Sequence, residues 1–229
     1  MCNFFSFVTE PEGHGGKRFY FDWKYRSSNL QDDNHDSHSG ICEYYQLGED
    51  VCNKYEYNPL TKIFKVDQIN SEIDDRLQAE DWVDKVDFKR IVEPLIIKPI
   101  INPFDLPKVD IVTDNQIELL KQWASVWDSV WDSVGASIGA SIGASVRASV
   151  GASVWASVWD SVWASIGASI GASVWAYIYS FFDIRYNYDF VTCVNLWEDG
   201  LVPSYDGKTW KLHSGKNAEI VYEWQKNQI

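Results

Sequence analysis

From Val126 to Val174 a β-branched aliphatic residue, Val or Ile, stands at every fourth position of the chain without a gap. The places between are as regular. Ser always precedes the aliphatic residue, Ala precedes Ser except at Asp128, Asp132 and Asp160, and the leading place holds Trp six times, Gly six times and Arg once, at Arg147. This makes thirteen tetrads beginning at Trp123. A further one, Trp175-Ala-Tyr-Ile178, puts Tyr in the place of Ser and runs into the aromatic stretch Tyr179-Ser-Phe-Phe182.

A period of four suits two backbones. In an α-helix four residues overshoot one turn by about 40°, so the Val/Ile stripe winds around the cylinder, and the tetrads span roughly 78 Å at 1.5 Å per residue. The composition is poor for an isolated helix: Gly costs about 1 kcal/mol relative to Ala in a helix interior, and Val or Ser several tenths. In a β-solenoid each tetrad forms one short side of a coil, the aliphatic residue points inward, and Ser stacks in ladders. The unit then resembles the pentapeptide repeat A-[DN]-[LF]-x-x shortened by one residue. Propensity favours the solenoid, with a long small-residue helix as the alternative, in which Gly, Ala and Ser let another helix approach closely. The Asp residues fit the helix better, because an inward, unpaired carboxylate is costly. In both backbones the leading place faces outward. Gly135, Gly139 and Gly143 form a G-x-x-x-G-x-x-x-G run, but recurrent Ser, Arg147 and the Asp residues interrupt the about 20 apolar residues that a membrane span needs.

The flanks read as mixed structure. Residues 2–8 and 18–24 alternate as strands around a Gly-rich turn, and Asp36 or Ser37 caps a helix from His38 to Leu47 that Gly48 ends. A hairpin follows, 53–57 and 62–66 around Asn58-Pro-Leu-Thr61. Residues 70–89 show a helical apolar face, and the proline-rich 93–103 predicts an extended connector. Thr113 or Asp114 caps a helix, 116–122, that leads into the tetrads. After them come a helix from Asp189 to Glu198 stopped by Gly200 and a two-stranded unit, 208–213 and 218–224. The expected fold class is therefore α+β, with an N-terminal α+β domain (1–112), a tetrapeptide-repeat segment with capping ends (113–182) and a C-terminal helix and β-hairpin unit (183–229).

Composition narrows the function classes. A net charge of −13 argues against a nucleic-acid partner, since phosphates attract basic surfaces. Cys2, Cys42, Cys52 and Cys193 show no C-x-x-C spacing and no His at zinc-ligand distance, so neither metal nor cofactor is expected. The opening lacks a basic segment and a long apolar run, which predicts a protein of a reducing compartment with free thiols.

The tetrads and their flanks resemble uncharacterised proteins of tailed bacteriophages and their gut-bacterial hosts that carry W-A-S-V, W-D-S-V and G-A-S-V units. The likeness rests on MCNFFSFV, Asp36-Ser-His-Ser39, Lys54-Tyr-Glu-Tyr-Asn-Pro59, Trp175-Ala-Tyr-Ile178 and Gly200-Leu-Val-Pro-Ser204. It implies a phage-related protein, cytoplasmic in the bacterial host or virion-associated, and brings no activity with it.

Two sets of residues carry candidate function. Cys2 follows Met1, whose removal leaves an α-amine able to act as base for its own thiol. MCNFFSFV looks like the MCGI-G-x-x start of class II glutamine amidotransferases, with Asn3 where that family has Gly. Asp36 and His38 could serve Cys2 as orienter and base in a Cys-His-Asp site; read as structure, Asp36 or Ser37 is a helix cap and Cys2 the start of a strand. The second set is Trp123, Trp127 and Trp131 with Trp155, Trp159 and Trp163, two clusters which, facing outward, form a surface for a protein partner or self-association. The expectation is a non-enzymatic structural or interaction protein whose repeat is a spacer and a Trp-bearing surface, the alternative being an N-terminal-nucleophile amidohydrolase or amidotransferase-like enzyme using Cys2.

Overall fold

A computed structural model of the chain describes residues 5–13, 17–21, 37–91, 95–139, 150–156, 170–183 and 190–225, with the side chains of 90–91 and 128–139 excepted. The fold is α+β, with two antiparallel sheets and no closed barrel among the described residues. The chain divides into two compact units, which in described residues meet at Ile97 and Lys98.

The first unit is a four-stranded antiparallel sheet. Its strands are β1 (Phe5–Thr9), β2 (Phe19–Tyr20), β3 (Asn53–Asn58) and β4 (Ile63–Gln68), in the order β2-β1-β3-β4. Both predicted hairpins are present: Val8 pairs with Tyr20 across the first, and Glu56 with Lys65 across the second. β1 and β3 are buried along their whole length, so both faces of the sheet are covered. Strand alternation sends Phe5 and Phe7 to the same face as their partners Tyr57 and Tyr55. There Phe7 stacks on Tyr55 at 5.4 Å, Trp82 lies 5.0 Å from Phe7, and Phe88 meets Tyr57 at 5.5 Å. The opposite face sends Val8 into a cluster with Tyr20, Ile41, Cys42 and Cys52.

Helix α1 (His38–Tyr45) covers that second cluster. Ser37 is its cap, accepting the Gly40 N–H at 3.0 Å. It ends two residues before Gly48: Gln46 takes the left-handed conformation (φ 57°), and Gln46 and Leu47 donate to the Glu43 and Cys42 carbonyls. The helix expected over 70–89 is instead α2 (Arg76–Val83) and the one-turn α3 (Phe88–Ile91). Residues 70–75 precede α2 without helical backbone: Asn53 Oδ1 accepts the N–H groups of Asn70 and Ser71 at 3.0 and 2.9 Å, and Asp75 accepts from Asn53 Nδ2 at 2.8 Å, which ties this segment to β3.

The second unit holds α4 (Asp114–Gly139), a helical segment over 150–156, α5 (Gly171–Tyr179) and α6 (Val191–Glu198), followed by the sheet β5 (Val202–Tyr205), β6 (Thr209–Ser214) and β7 (Glu219–Gln225) in that order. α4 starts with a reciprocal capping box, in which Gln116 N–H donates to Thr113 Oγ1 and Thr113 N–H to Gln116 Oε1. α6 ends in a Schellman turn at Gly200 (φ +79°), with Leu201 N–H bonded to the Leu196 carbonyl at 2.8 Å and Gly200 N–H to that of Trp197 at 3.0 Å. β5 corrects the two-stranded expectation. β5 contains Pro203 and lies at the edge of its sheet, where a missing N–H is tolerated.

Within this unit the connector is strapped by a ring stack. Tyr177 and Trp197 lie face to face at 4.7 Å; Trp197 Nε1–H donates to the Ile101 carbonyl at 2.9 Å, and Tyr177 Oη accepts the Ile101 N–H at 2.8 Å. Both rings are fully buried, and both backbone groups of Ile101 are satisfied.

The tetrads are α-helical in 123–139, 150–156 and 171–178; those within 140–149 and 157–169 lie outside the described residues. In the described tetrads the helical alternative stands where propensity favoured the solenoid, and tertiary burial is the reason. Val150, Val154, Ile170, Val174 and Ile178, all at the fourth place, are 0% exposed. Each buried Val or Ile contributes roughly 1.5–3 kcal/mol, which outweighs the about 1 kcal/mol that Gly costs in a helix. Small residues permit the approach: a Cβ on Gly151 would sit 4.0 Å from Ile178 Cδ1. The tetrad Ser also joins in, Ser173 donating to the Pro203 carbonyl at 2.7 Å and Ser125 back to the Gln122 carbonyl at 2.7 Å.

Candidate functional site

Of the Cys-His-Asp set, Cys2 and Asp36 lie outside the described residues. His38 opens α1 and is 7% exposed. Its Nε2 is 3.0 Å from the Tyr55 carbonyl, and Nδ1 is 3.5 Å from Asp67 Oδ2. A ring nitrogen facing a carbonyl carries a proton and donates it, so Nε2 is not free to act as base. His38 thereby ties the start of α1 to β3 and β4, as a capping segment does.

The described tryptophans of the repeat stand in different environments. Trp123 is fully buried and meets Phe190 at 6.5 Å. Trp127 is half-buried, edge-on to Tyr205 at 5.3 Å and Trp210 at 5.7 Å. Trp155 is half-buried, and Trp175 is 37% exposed. The Trp131 side chain and all of Trp159 and Trp163 lie outside what the structure describes. The leading place does not face outward at Trp123, and each tetrad advances the helix by about 40°. Trp123 therefore faces the core, while Trp127, one tetrad on, has begun to leave it.

Two polar constellations have no signal in the sequence. Asp75 is 0% exposed. Its Oδ1 accepts from Tyr55 Oη at 2.6 Å, Asn53 Nδ2 at 2.8 Å and Thr9 Oγ1 at 3.0 Å, and its Oδ2 from Arg18 Nη2 at 3.2 Å and Nε at 3.3 Å. Burial, and then the carboxylate beside it, pushes the Tyr55 phenol well above its ordinary value. Both carboxylate oxygens are engaged by these donors, which makes the cluster a strut between strands and loop.

The second joins Ser204 on β5 to His213 on β6. Ser204 Oγ lies 2.8 Å from His213 Nε2, and Nδ1 lies 3.0 Å from the Ala218 carbonyl. The carbonyl fixes the proton on Nδ1, so Nε2 accepts from the Ser204 hydroxyl, as in a nucleophile–base pair. Both residues are 5% exposed or less, so no substrate reaches the hydroxyl and the pair acts as a buried polar tie. Burial lowers the His213 pKa below its ordinary 6.5. The unfolded chain then takes up the proton first: the stability this neutral imidazole contributes is complete above about pH 6.5 and is lost as pH falls toward the folded value. His213→Gln is expected to flatten the loss of urea-unfolding stability between about pH 7 and pH 5. An unchanged slope would place the acid sensitivity elsewhere.

In the first unit, Tyr57, Asp84, Lys62, Phe88 and Lys89 line a recess of about 250 Å³. It falls below the roughly 300–1,000 Å³ of ligand pockets, and Tyr57 Oη–H is already given to Asp84 Oδ1 at 2.7 Å. Among the described residues no group of three or more His, Cys, Asp or Glu is placed to hold a metal ion, and no helix is long and apolar enough to cross a membrane. Comparison with protein-family models, with curated proteins and with solved structures finds no match.

Proposed function

We propose that this chain is a non-enzymatic structural or interaction protein, phage-related, in which the tetrad array is a helical spacer presenting tryptophans for self-association or a protein partner. The observation that carries the reading is the fate of the leading tryptophan. The sequence keeps Trp at that place whether the helix turns it into the core, as at Trp123, or outward, as at Trp175. Core packing accounts for the first and not for the second, and outward aromatic side chains in clusters mark contact surfaces.

Described residues near both ends of the array belong to one folded unit. Trp123 near its start and Val174 near its end are both 0% exposed in the second unit. A spacer held at both ends can change length by whole tetrads, about 6 Å each as helix, without loss of its anchors. The likeness to tailed-phage proteins, and a location in the bacterial host cytoplasm or the virion, belong to the same proposal.

Sedimentation velocity over a range of concentrations tests it, comparing the full chain with Trp155→Ser/Trp159→Ser/Trp163→Ser. Concentration-dependent association of the wild type that disappears in the variant, with the amide-I infrared spectrum unchanged, is the expected result. Equal sedimentation of the two chains would remove the tryptophan surface from the account.

A further inference from the structure

Cys42 and Cys52 are the two thiols of the cluster beneath α1, 2% and 0% exposed, and both are free. Cys42 sits on α1 and Cys52 immediately before β3. Their side chains pack in that one buried cluster. A disulfide between two thiols so placed requires closure of the sulfurs to roughly 2 Å.

The pair is also asymmetric. The interaction between the two thiols lowers the Cys42 pKa and raises that of Cys52. Lys54, ion-paired to Glu49 at 2.7 Å, acts to lower both. One sulfur is thus disposed to be the thiolate that attacks and the other to hold its proton until the second step. The segment joining them, Gln46 to Val51, is exposed apart from the half-buried Leu47. It begins at the left-handed Gln46, a conformation that costs any residue but Gly. Opening of the last turn of an eight-residue helix is a low-cost local event that admits a small oxidant.

We propose that Cys42 and Cys52 form a redox-active dithiol that a hydroperoxide converts to an intramolecular disulfide, stapling α1 to the start of β3. The Cys42 thiolate attacks one oxygen of hydrogen peroxide and the O–O bond breaks, leaving Cys42 sulfenic acid and hydroxide. Hydroxide takes the Cys52 proton and becomes water. The Cys52 thiolate then attacks the Cys42 sulfur, the S–O bond breaks, and the departing hydroxide takes up the proton that Cys42 gave to solvent on forming its thiolate, leaving as the second water. Overall, two thiols and one peroxide, with the thiols oxidised and the peroxide reduced, give one disulfide and two waters.

Cys193 supplies the control. It is fully buried, and desolvation holds its pKa up at about 12, so it lacks both thiolate character and a partner thiol. The folded full chain is treated with hydrogen peroxide, the remaining thiols are alkylated, and the digest is mapped without reduction. The expected product is a peptide pair joined through Cys42 and Cys52, with Cys193 recovered alkylated after denaturation. In Cys52→Ser the reaction is expected to stop at a dimedone-trappable sulfenic acid on Cys42, and in Cys42→Ser neither cross-link nor adduct forms at Cys52. Recovery of both cysteines reduced in the wild type would overturn the proposal. So would a cross-link to Cys2 or Cys193, or a Cys42 adduct that accumulates in the wild type as fully as in Cys52→Ser. Because the wild-type result decides alone, a variant that fails to fold does not rescue the idea.

Discussion

Asp75→Ala is expected to destabilise the first unit by roughly 3–5 kcal/mol, the cost of breaking a buried, fully hydrogen-bonded charge from one side. Four side chains converge on this carboxylate from β1, β3 and the strand-leading Arg18. Removing it orphans the Tyr55 and Thr9 hydroxyls and one arm of Asn53 in a site without water access, each at about 1–3 kcal/mol. Arg18 is the contrast. Its side chain is 32% exposed against 0% for Asp75, and Tyr55, Asn53 and Thr9 still donate to the carboxylate when it is removed, so Arg18→Met is expected to cost less than Asp75→Ala. Urea unfolding of the two variants, read by near-ultraviolet circular dichroism, measures both. If Asp75→Ala cost no more than Arg18→Met, the carboxylate would not be the organising group and the hydroxyls would have other partners.

What the sequence made legible follows the range of the interactions. Local signals held: the Asn58-Pro-Leu-Thr61 turn between β3 and β4, a cap at Thr113, one of the two residues expected there, and Gly200 in the left-handed turn after α6. Each is decided within about six residues, by dihedral preference and a nearby hydrogen bond. Asp75 was not legible because its partners stand 20 to 66 residues away, and nothing local separates it from Asp74, which spends its charge on Arg76 at the surface. Ser204 and His213 meet only because β5 pairs with β6, a strand the two-stranded expectation did not include. The Cys42–Cys52 pair shows no recognised spacing motif, since a helix, a loop and a strand bring the sulfurs together. The tetrad backbone lay between these cases: propensity alone leaned to strand, and only the burial of Val150, Val154 and Val174 shows how the described helices repay their glycines.

That difference gives the second large effect. Trp123→Ala is expected to cost roughly 3–5 kcal/mol, the usual range for removing a buried Trp. Trp127→Ala should cost about 1–3 kcal/mol, since two edge-on aromatic contacts at about 0.5–1.5 kcal/mol each are lost from a half-buried site. Trp175→Ala should stay near 1 kcal/mol or below, because Trp175 is 37% exposed and keeps a single stack, on Tyr179 at 5.7 Å. A further variant separates volume from polarity. Trp123 Nε1–H is buried and has no hydrogen-bond partner among the described residues, so Trp123→Phe is expected to recover most of the stability that Trp123→Ala loses, as an unsatisfied donor disappears with the indole. Three residues at one repeat place would then have three environments, set by helical phase and by what each helix packs against. Equal costs at Trp123, Trp127 and Trp175, measured by denaturant midpoint at constant m-value, would mean that repeat position fixes the environment. That is the behaviour of a coil whose period is four, and it would overturn the helical reading of the tetrads.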